Sequence, residues 1–160
     1  MLNIENRATD ERDLDLIGPL WEKLNEHHRV RARSSDQARH FGEMKFDIRK
    51  KRLLEKARQG ALHLELALDG NTRKVIGYCV STVTGDKQCE IESIFVEDSY
   101  RRQGVGDNLM KKSLAWMNNL SVDNKIIEVA IGNEEVLGFY ARYGFYPRTL
   151  ILHGGKSNHR

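Results

Sequence analysis

Three strand-like segments between residues 61 and 96 constrain the fold of this chain most. The segments ALHLELAL, KVIGYCVSTVT and CEIESIFV are mostly apolar, and short turns around Gly70 and Gly85 separate them. Such short connections join antiparallel strands, because parallel strands need a crossover of about a dozen residues or more. The sequence therefore predicts an antiparallel meander.

The glycine-rich turn RRQGVG at residues 101–106 follows the meander and begins a crossover. Apolar residues at helical spacing predict a helix over roughly residues 104 to 119, and KIIEVAI after it is typical of a strand covered on both faces. Strand, turn, helix and strand in this order form a βαβ unit. NEEVLGFYARY then predicts a last helix and FYPRTLILH a last strand. The expected fold class is α+β, a mixed and mostly antiparallel central sheet with one βαβ crossover, flanked by helices.

The first part of the chain predicts one strand and two helices. LNIENRA alternates apolar and polar residues like a short strand, and Asp10 can cap a helix that a Gly-Pro pair interrupts. A second helix is expected over residues 36 to 58, with the basic run RKKR largely solvated. No linker or repeat divides the chain, so we expect a single domain over residues 1–152 and a flexible tail over residues 153–160.

Charge and composition argue against several function classes. The chain carries 26 Lys or Arg interleaved with 23 Asp or Glu, so its net charge of +3 indicates no nucleic-acid partner. It lacks an apolar run of the ~18 residues that a membrane helix needs, and its N-terminus is charged where a signal peptide is apolar. Cys79, Cys89, His63 and His153 show no metal-site spacing. We expect a cytoplasmic protein with reduced cysteines and with no metal, no membrane partner and no nucleic-acid partner.

The turn RRQGVG has the features of an anion site. The first N–H groups of a helix have no partner within the helix, and the helix dipole places positive potential there. Gly104 and Gly106 let a phosphate approach those amides, and Arg101 or Arg102 can add a charge. The dinucleotide and P-loop fingerprints both fail after the second glycine. Taken alone, the turn indicates either an anion site or an ordinary glycine-rich turn.

A second group of residues, later in the chain, gives the turn a family context. The chain resembles the GCN5-related N-acetyltransferase superfamily in two motifs that occur in the family's order: Arg101-x-x-Gly104-x-Gly106 after the strand IESIFV, and Asn133, Tyr140, Gly144 and Phe145 in NEEVLGFYARYGF. The resemblance covers roughly residues 61 to 152, with Val136 where the family often has Ala. It implies a sheet that splays between its fourth and fifth strands, acetyl-CoA as the acetyl donor, and the pantetheine arm in the gap.

The same resemblance implies which residues contact the cofactor. The strand before the turn offers main-chain groups to the pantetheine and an N–H to the thioester oxygen, and the turn takes the pyrophosphate. The implied cofactor-binding residues are Ile94, Phe95, Val96, Arg101, Arg102, Gly104, Val105, Gly106, Asp107, Asn133 and Tyr140.

Two residues are candidates for catalysis. The resemblance implies that Tyr140 is the general acid that protonates the leaving thiolate; the alternative is that Tyr140 packs in the core beside Val136 and Phe139. A lysine-like amine has a pKa of about 10.4, so presenting it neutral at pH 7 costs roughly 4 to 5 kcal/mol. Glu92 is the candidate base, directly or through water, and Glu90 shares its face of the strand. The alternative for Glu92 is a solvated residue or an ion-pair partner.

The acceptor is the least constrained part of the prediction. A small-molecule primary amine, such as a polyamine, an amino acid or an aminoglycoside-like compound, is the leading expectation, with direct transfer in a ternary complex. Acetylation of a protein lysine or N-terminal amine, or a non-catalytic acyl-CoA sensor module, are the alternatives. His27, His28 and Trp21 either shape the acceptor pocket or pack the first helix. A homodimer is compatible with the resemblance, but no residue pattern specifies one.

Overall fold

The computed structural model describes residues 2–155, and within them the chain forms a five-stranded sheet with helices on both faces. The strands are β1 (Ile4–Thr9), β2 (Ala61–Asp69), β3 (Val75–Val83), β4 (Gln88–Val96) and β5 (Asn124–Ile127). The α-helices are α1 (Gly18–Val30), α2 (Ser35–Glu43), α3 (Phe46–Gln59), α4 (Val105–Asn119) and α5 (Leu137–Ala141). Short 3₁₀ helices cover Glu11–Ile17, Asp98–Tyr100 and Glu134–Val136.

The strand order confirms the predicted fold class. The strands lie in the order β1-β2-β3-β4-β5, with antiparallel pairs from β1 to β4 and a parallel pair between β4 and β5. Helix α4 connects the parallel pair, as a βαβ crossover requires. The meander and the crossover are therefore both present.

The sheet opens between β4 and β5. Their pairing runs from Gln88 opposite Asn124 to Ile91 opposite Ile127 and ends there, while β4 continues to Val96. A β-bulge begins at the same place, because Val80 pairs with Ser93 and Ser81 with Ile91, which leaves Glu92 as the extra residue. The last residues of β4 thus keep β3 on one side and face a gap on the other.

Two hydrophobic cores hold the helices against the two faces of the sheet. Adjacent strand residues point to opposite faces, so Tyr78 joins the core under α1 and α3, whereas Cys79 joins the core under α4. Leu109 and Met110 of α4 are fully buried in the second core. Cys79 and Cys89 are both buried free thiols. The packing of α4 fixes the turn that precedes it.

The helices of the first part differ in their boundaries from the prediction. The Gly18-Pro19 pair separates a 3₁₀ helix, capped by Asp10, from α1. The predicted helix over residues 36 to 58 is two helices, because Asn25 of α1 donates its side-chain amide to Phe41 O at 2.8 Å and to Met44 O at 3.1 Å. These bonds take main-chain carbonyls at the break between α2 and α3.

The end of the chain also departs from the prediction. The strand expected in KIIEVAI stops at Ile127, and the helix expected in NEEVLGFYARY is a 3₁₀ helix followed by the short α5. The strand expected in FYPRTLILH is wrong, because residues 145–153 form no strand. Part of the predicted flexible tail, residues 156–160, lies outside the described residues. None of the described helices is long and apolar enough to cross a membrane.

Candidate active site

A cavity of about 1430 Å³ lies where β4 and β5 separate. The end of β4, the glycine-rich turn, α5 and the loop after β5 line one part, and α1, α2, α3 and residues 149–154 line the rest. The residues predicted to bind the cofactor, except Val105 in the second core, and the candidates for the acceptor pocket therefore line one cavity.

The glycine-rich turn presents free amides to this cavity. Gly104, just before α4, has φ of 79°. Residues other than glycine rarely adopt this left-handed backbone conformation. The first bond of the helix runs from Asn108 N to Gly104 O at 3.0 Å. The amides of Val105, Gly106 and Asp107 come before Asn108 in the chain. They therefore lie in the first turn of α4, where N–H groups have no hydrogen-bond partner within the helix. The turn therefore has the backbone geometry of an anion site.

Two charged side chains at the turn, those of Arg101 and Asp107, are engaged by other groups of the protein. Arg101 is folded back, with its Nε donating to Val96 O at 2.8 Å and its guanidinium 5.3 Å from the Phe95 ring centroid. Asp107 is bonded to the Tyr143 hydroxyl and to Arg142, whose Nη2 lies 2.7 Å from Asp107 Oδ1. The Tyr143 hydrogen bond and the Arg142 charge lower the pKa of Asp107. Its negative charge is therefore compensated beside the anion site.

Tyr140 lies between the cavity and the second core. Its ring is partly buried and meets Phe139 edge to face, with ring centroids 5.4 Å apart. Burial, with a smaller contribution from Cys79, raises the pKa of Tyr140 well above its usual range. The phenol is thus protonated at neutral pH and available as a donor. Tyr140 therefore both packs against the second core and lines the cavity.

Glu92, the bulged residue of β4, lies in a buried ion cluster. Its side chain is 1% exposed, with Arg49 Nη2 2.8 Å from Oε2 and Lys56 Nζ 2.5 Å from Oε1. Thr82 Oγ1 also donates to Oε1, at 2.6 Å. Burial alone raises the pKa of Glu92, but Arg49, Lys56 and Thr82 outweigh burial and hold it below its usual range. The carboxylate is therefore ionised and strongly solvated by side chains.

Glu90 belongs to the same cluster with the opposite electrostatic balance. Lys56 Nζ lies 2.7 Å from Glu90 Oε2, so one ammonium bridges both carboxylates. Burial, reinforced by the charges of Glu92 and Glu128, raises the pKa of Glu90 above its usual range despite Lys56. The two strand carboxylates thus differ in their tendency to hold a proton.

The partners of Glu92 were not predicted from the sequence. Arg49 was expected on a solvated basic face, yet its side chain is only 21% exposed and turns toward the strand. Lys56 follows it at a spacing of seven residues, which places both on one face of α3. That spacing was the available signal, but it does not say which strand residue they reach.

The acceptor candidates on α1 all line the cavity but differ in their packing. Trp21 is 6% exposed and packs on Phe46. His28 lines the cavity with its ring 5.2 Å from that of Phe41, and burial, followed by the neighbouring His27, lowers its pKa to about 4. His27 Nε2 lies 3.2 Å from Asn133 Oδ1. Residues 2–155 contain no group of three His, Cys, Asp or Glu side chains placed to hold a metal.

Comparison with known proteins identifies the class that this fold and cavity define. The sequence profile of the Acetyltransferase (GNAT) family matches residues 21–145, which is most of the chain. The protein belongs to this family, and it has the fold of the N-acetyltransferases.

Solved structures and curated sequences agree with the family. A GCN5-related N-acetyltransferase from Ralstonia eutropha JMP134 is similar with a TM-score of 0.74 and 20% identity, over 95% of this chain and 98% of that one. AAC(6')-Iy, solved with the bisubstrate analogue CoA-S-monomethyl-acetylneamine, gives a TM-score of 0.64 at 15% identity, over 97% and 99% of the chains. Human (Homo sapiens) N-alpha-acetyltransferase 30 is 36% identical over 55 residues, which are 34% of this chain and 15% of that relative.

The Glu92 cluster generates a stability prediction. Replacing Glu92 by Gln leaves Arg49 without its buried counter-charge and Lys56 with Glu90 alone, and we expect it to lower the free energy of unfolding at pH 7 by about 3–5 kcal/mol. A carboxylate whose pKa is depressed in the folded state stabilises above its unfolded pKa, about 4.3, and this contribution is lost as the pH falls. The difference between the two proteins should therefore shrink in acid. Urea unfolding from pH 7 down to pH 3 measures it.

A matched control is Glu55→Gln on α3, where an exposed Glu pairs with Arg58 at 3.0 Å. We expect this change to alter stability by less than about 1 kcal/mol at every pH. An equal loss in both variants, or a Glu92 effect that does not change with pH, would contradict the electrostatic assignment.

Proposed function

We propose that this protein transfers the acetyl group of acetyl-CoA to the primary amine of a small molecule, by direct transfer in a ternary complex. We choose a small acceptor because a set of contacts closes one side of the cavity. It joins the loop between α1 and α2 to the loop after β5. Both loops line the cavity.

Three polar contacts make this closure. Arg31 Nη1 lies 2.8 Å from Glu135 Oε1, Arg33 Nη2 lies 3.1 Å from Glu134 Oε2, and Gln37 Nε2 donates to Ile131 O at 2.7 Å. A peptide in an open groove needs both ends of that groove free, whereas a small amine needs a bounded pocket. The closure therefore favours a small acceptor.

The donor half of the site follows from the turn and the end of β4. The amides of Val105, Gly106 and Asp107 hold the pyrophosphate, with charge from Arg101 and Arg102. When bound, acetyl-CoA supplies an acetyl thioester with an electrophilic carbonyl carbon. The unpaired side of β4, residues 94–96, donates N–H groups to the arm and to the oxygen on which negative charge develops. Asn133 contacts the arm from the opposite side.

Two side chains transfer protons in the proposed reaction, one as the donor and one as the acceptor. The amine lone pair forms the C–N bond, the C–S bond breaks, and the sulfur leaves with the electron pair. Tyr140 donates its phenolic proton to that sulfur, and Glu92 accepts the proton of the amine directly or through water. The products are an acetamide and free CoA thiol. The burial that raises the pKa of Tyr140 also desolvates a thiolate next to it, which makes the thiolate a stronger proton acceptor.

The experiment that tests the function is a screen of amines with acetyl-CoA, followed by thiol release. We expect release with small primary amines and little with peptides that present a lysine or a free N-terminus. Preferred acetylation of N-terminal peptides would favour the second candidate, which the local match to N-alpha-acetyltransferase 30 supports. CoA binding without thiol release for any amine would contradict transfer and indicate a sensor module.

Tyr140→Phe tests the acid. We expect kcat to fall by about 10²- to 10⁴-fold while KM for acetyl-CoA stays nearly unchanged, because the lost proton is needed only in the transition state. Tyr100→Phe is the control and should leave kcat unchanged, since the Tyr100 hydroxyl bonds Asp69 at 2.7 Å and neither residue lines the cavity. Glu92→Gln should lower kcat and alter the acid limb of the pH–rate profile. Unchanged turnover in Tyr140→Phe, or an unchanged profile in Glu92→Gln, would remove the corresponding role.

We infer that two copies associate through the C-terminal segment. Tyr146, Leu150, Ile151 and Leu152 are 65–84% exposed, and β5 is the edge of the sheet, so one chain offers both an apolar segment and an open edge. A dimer with two-fold symmetry would cover both the apolar segment and the open edge.

Free, buried cysteines suit a reducing compartment, so we place the protein in the cytoplasm.

Light scattering after size-exclusion chromatography tests the pair. We expect a dimer for the unmodified chain and a monomer for Leu150→Asp with Leu152→Asp. Leu16→Asp, at an apolar residue that is 42% exposed on another surface, should leave the dimer intact. A monomer at all concentrations of the unmodified chain would overturn the association.

A further inference from the structure

The side chain of Asn133 is held by a residue from the other half of the molecule. His27, in the last turn of α1, places Nε2 3.2 Å from Asn133 Oδ1, across 106 positions of sequence. Asn133 is 9% exposed, and both residues line the cavity. The contact therefore joins the acceptor side of the cavity to a residue assigned to the cofactor.

The chemistry of this contact fixes its direction. An amide oxygen can only accept a hydrogen bond, so His27 Nε2 must carry the proton and donate it. Once Oδ1 is bonded to His27, the amide NH₂ group points away from the imidazole. Asn133 lines the cavity, so a group bound there can accept a hydrogen bond from its amide nitrogen. That group has to be a hydrogen-bond acceptor such as a carbonyl oxygen.

The main chain of the loop is fixed by other contacts. Gly132 has φ of 97°, and a Cβ there would lie 2.1 Å from Arg31 O, so the loop packs directly on the end of α1. Arg31 also pairs with Glu135 on the far side of Asn133. These contacts hold the backbone of the loop without His27. What remains for His27 is the orientation of the Asn133 amide.

We propose that His27 is a positioning residue: its Nε2–H holds Asn133 Oδ1 so that the Asn133 amide nitrogen donates to a carbonyl of the bound cofactor arm. This role rests on the proposed function, since it requires CoA in the cavity. Without the His27 donor the amide can turn its oxygen toward the ligand carbonyl, where two acceptors face each other. The affinity for CoA falls as a result.

A double-mutant cycle on CoA affinity, measured by isothermal titration calorimetry, tests the role. We expect His27→Leu to weaken CoA binding about 3- to 10-fold, as for one net hydrogen bond. Asn133→Ala should weaken it similarly. The double variant should bind like Asn133→Ala alone, because His27 acts only through Asn133. His27→Gln, whose side-chain amide can also donate, should recover part of the loss.

The control is Arg29→Gln, which breaks an exposed ion pair with Glu26 near the end of α1 and leaves the His27 donor in place. We expect it to change CoA affinity less than His27→Leu does. His27 is 28% exposed at the end of a helix, so its replacement should leave thermal unfolding nearly unchanged. In steady-state assays KM for acetyl-CoA should rise with little change in kcat.

Two outcomes separate this role from the proposed function. Tight CoA binding by the unmodified protein with equal affinity in His27→Leu, or strictly additive losses in the double variant, overturns the positioning role alone. No CoA binding by the unmodified protein overturns the proposed function, and the positioning role with it.

Discussion

The cavity depends on one local event, the bulge at Glu92 where β4 leaves β5. A strand that kept both neighbours would have no free main-chain groups, and the gap would close. Because pairing with β5 ends at Ile91, the last residues of β4 keep β3 as a partner and expose their other edge. Helix α4, packed by Leu109 and Met110, then places the glycine-rich turn at the end of that same edge. The donor half of the site is thus a consequence of how the sheet ends.

The bulge also has an electrostatic cost that α3 offsets. A carboxylate that is 1% exposed would be expelled or protonated without counter-charges, and Arg49 and Lys56 supply them. The balance is local, since Glu90 shares Lys56 but keeps a raised pKa. The same cluster ties α3 to the strand beside the gap. One set of ion pairs therefore stabilises the opening of the sheet and sets the charge of the acceptor side.

Features built from consecutive residues could be predicted from the sequence, and features built across long separations could not. The turn before α4 is built from consecutive residues, so RRQGVG was sufficient to predict a glycine turn followed by a helix. Glu92 and Arg49 are 43 positions apart, and Asp107 and Arg142 are 35 apart, so neither pairing leaves a local pattern. The last strand, predicted in FYPRTLILH, is absent for the opposite reason. TLIL has strand propensity, but a strand also needs a partner edge, and propensity does not provide one.

The two halves of the cavity are therefore recognisable to different degrees for a physical reason. In the proposed function the donor half binds phosphate and amide groups through its backbone, and a short glycine motif can encode such a backbone whatever the surrounding side chains are. The acceptor half consists of side chains from α1, α2 and α3, whose roles depend on tertiary contacts. His27 illustrates the difference, because nothing near it in sequence indicates that it faces Asn133 across the cavity. We therefore place specificity for the proposed acceptor amine in that second half of the cavity.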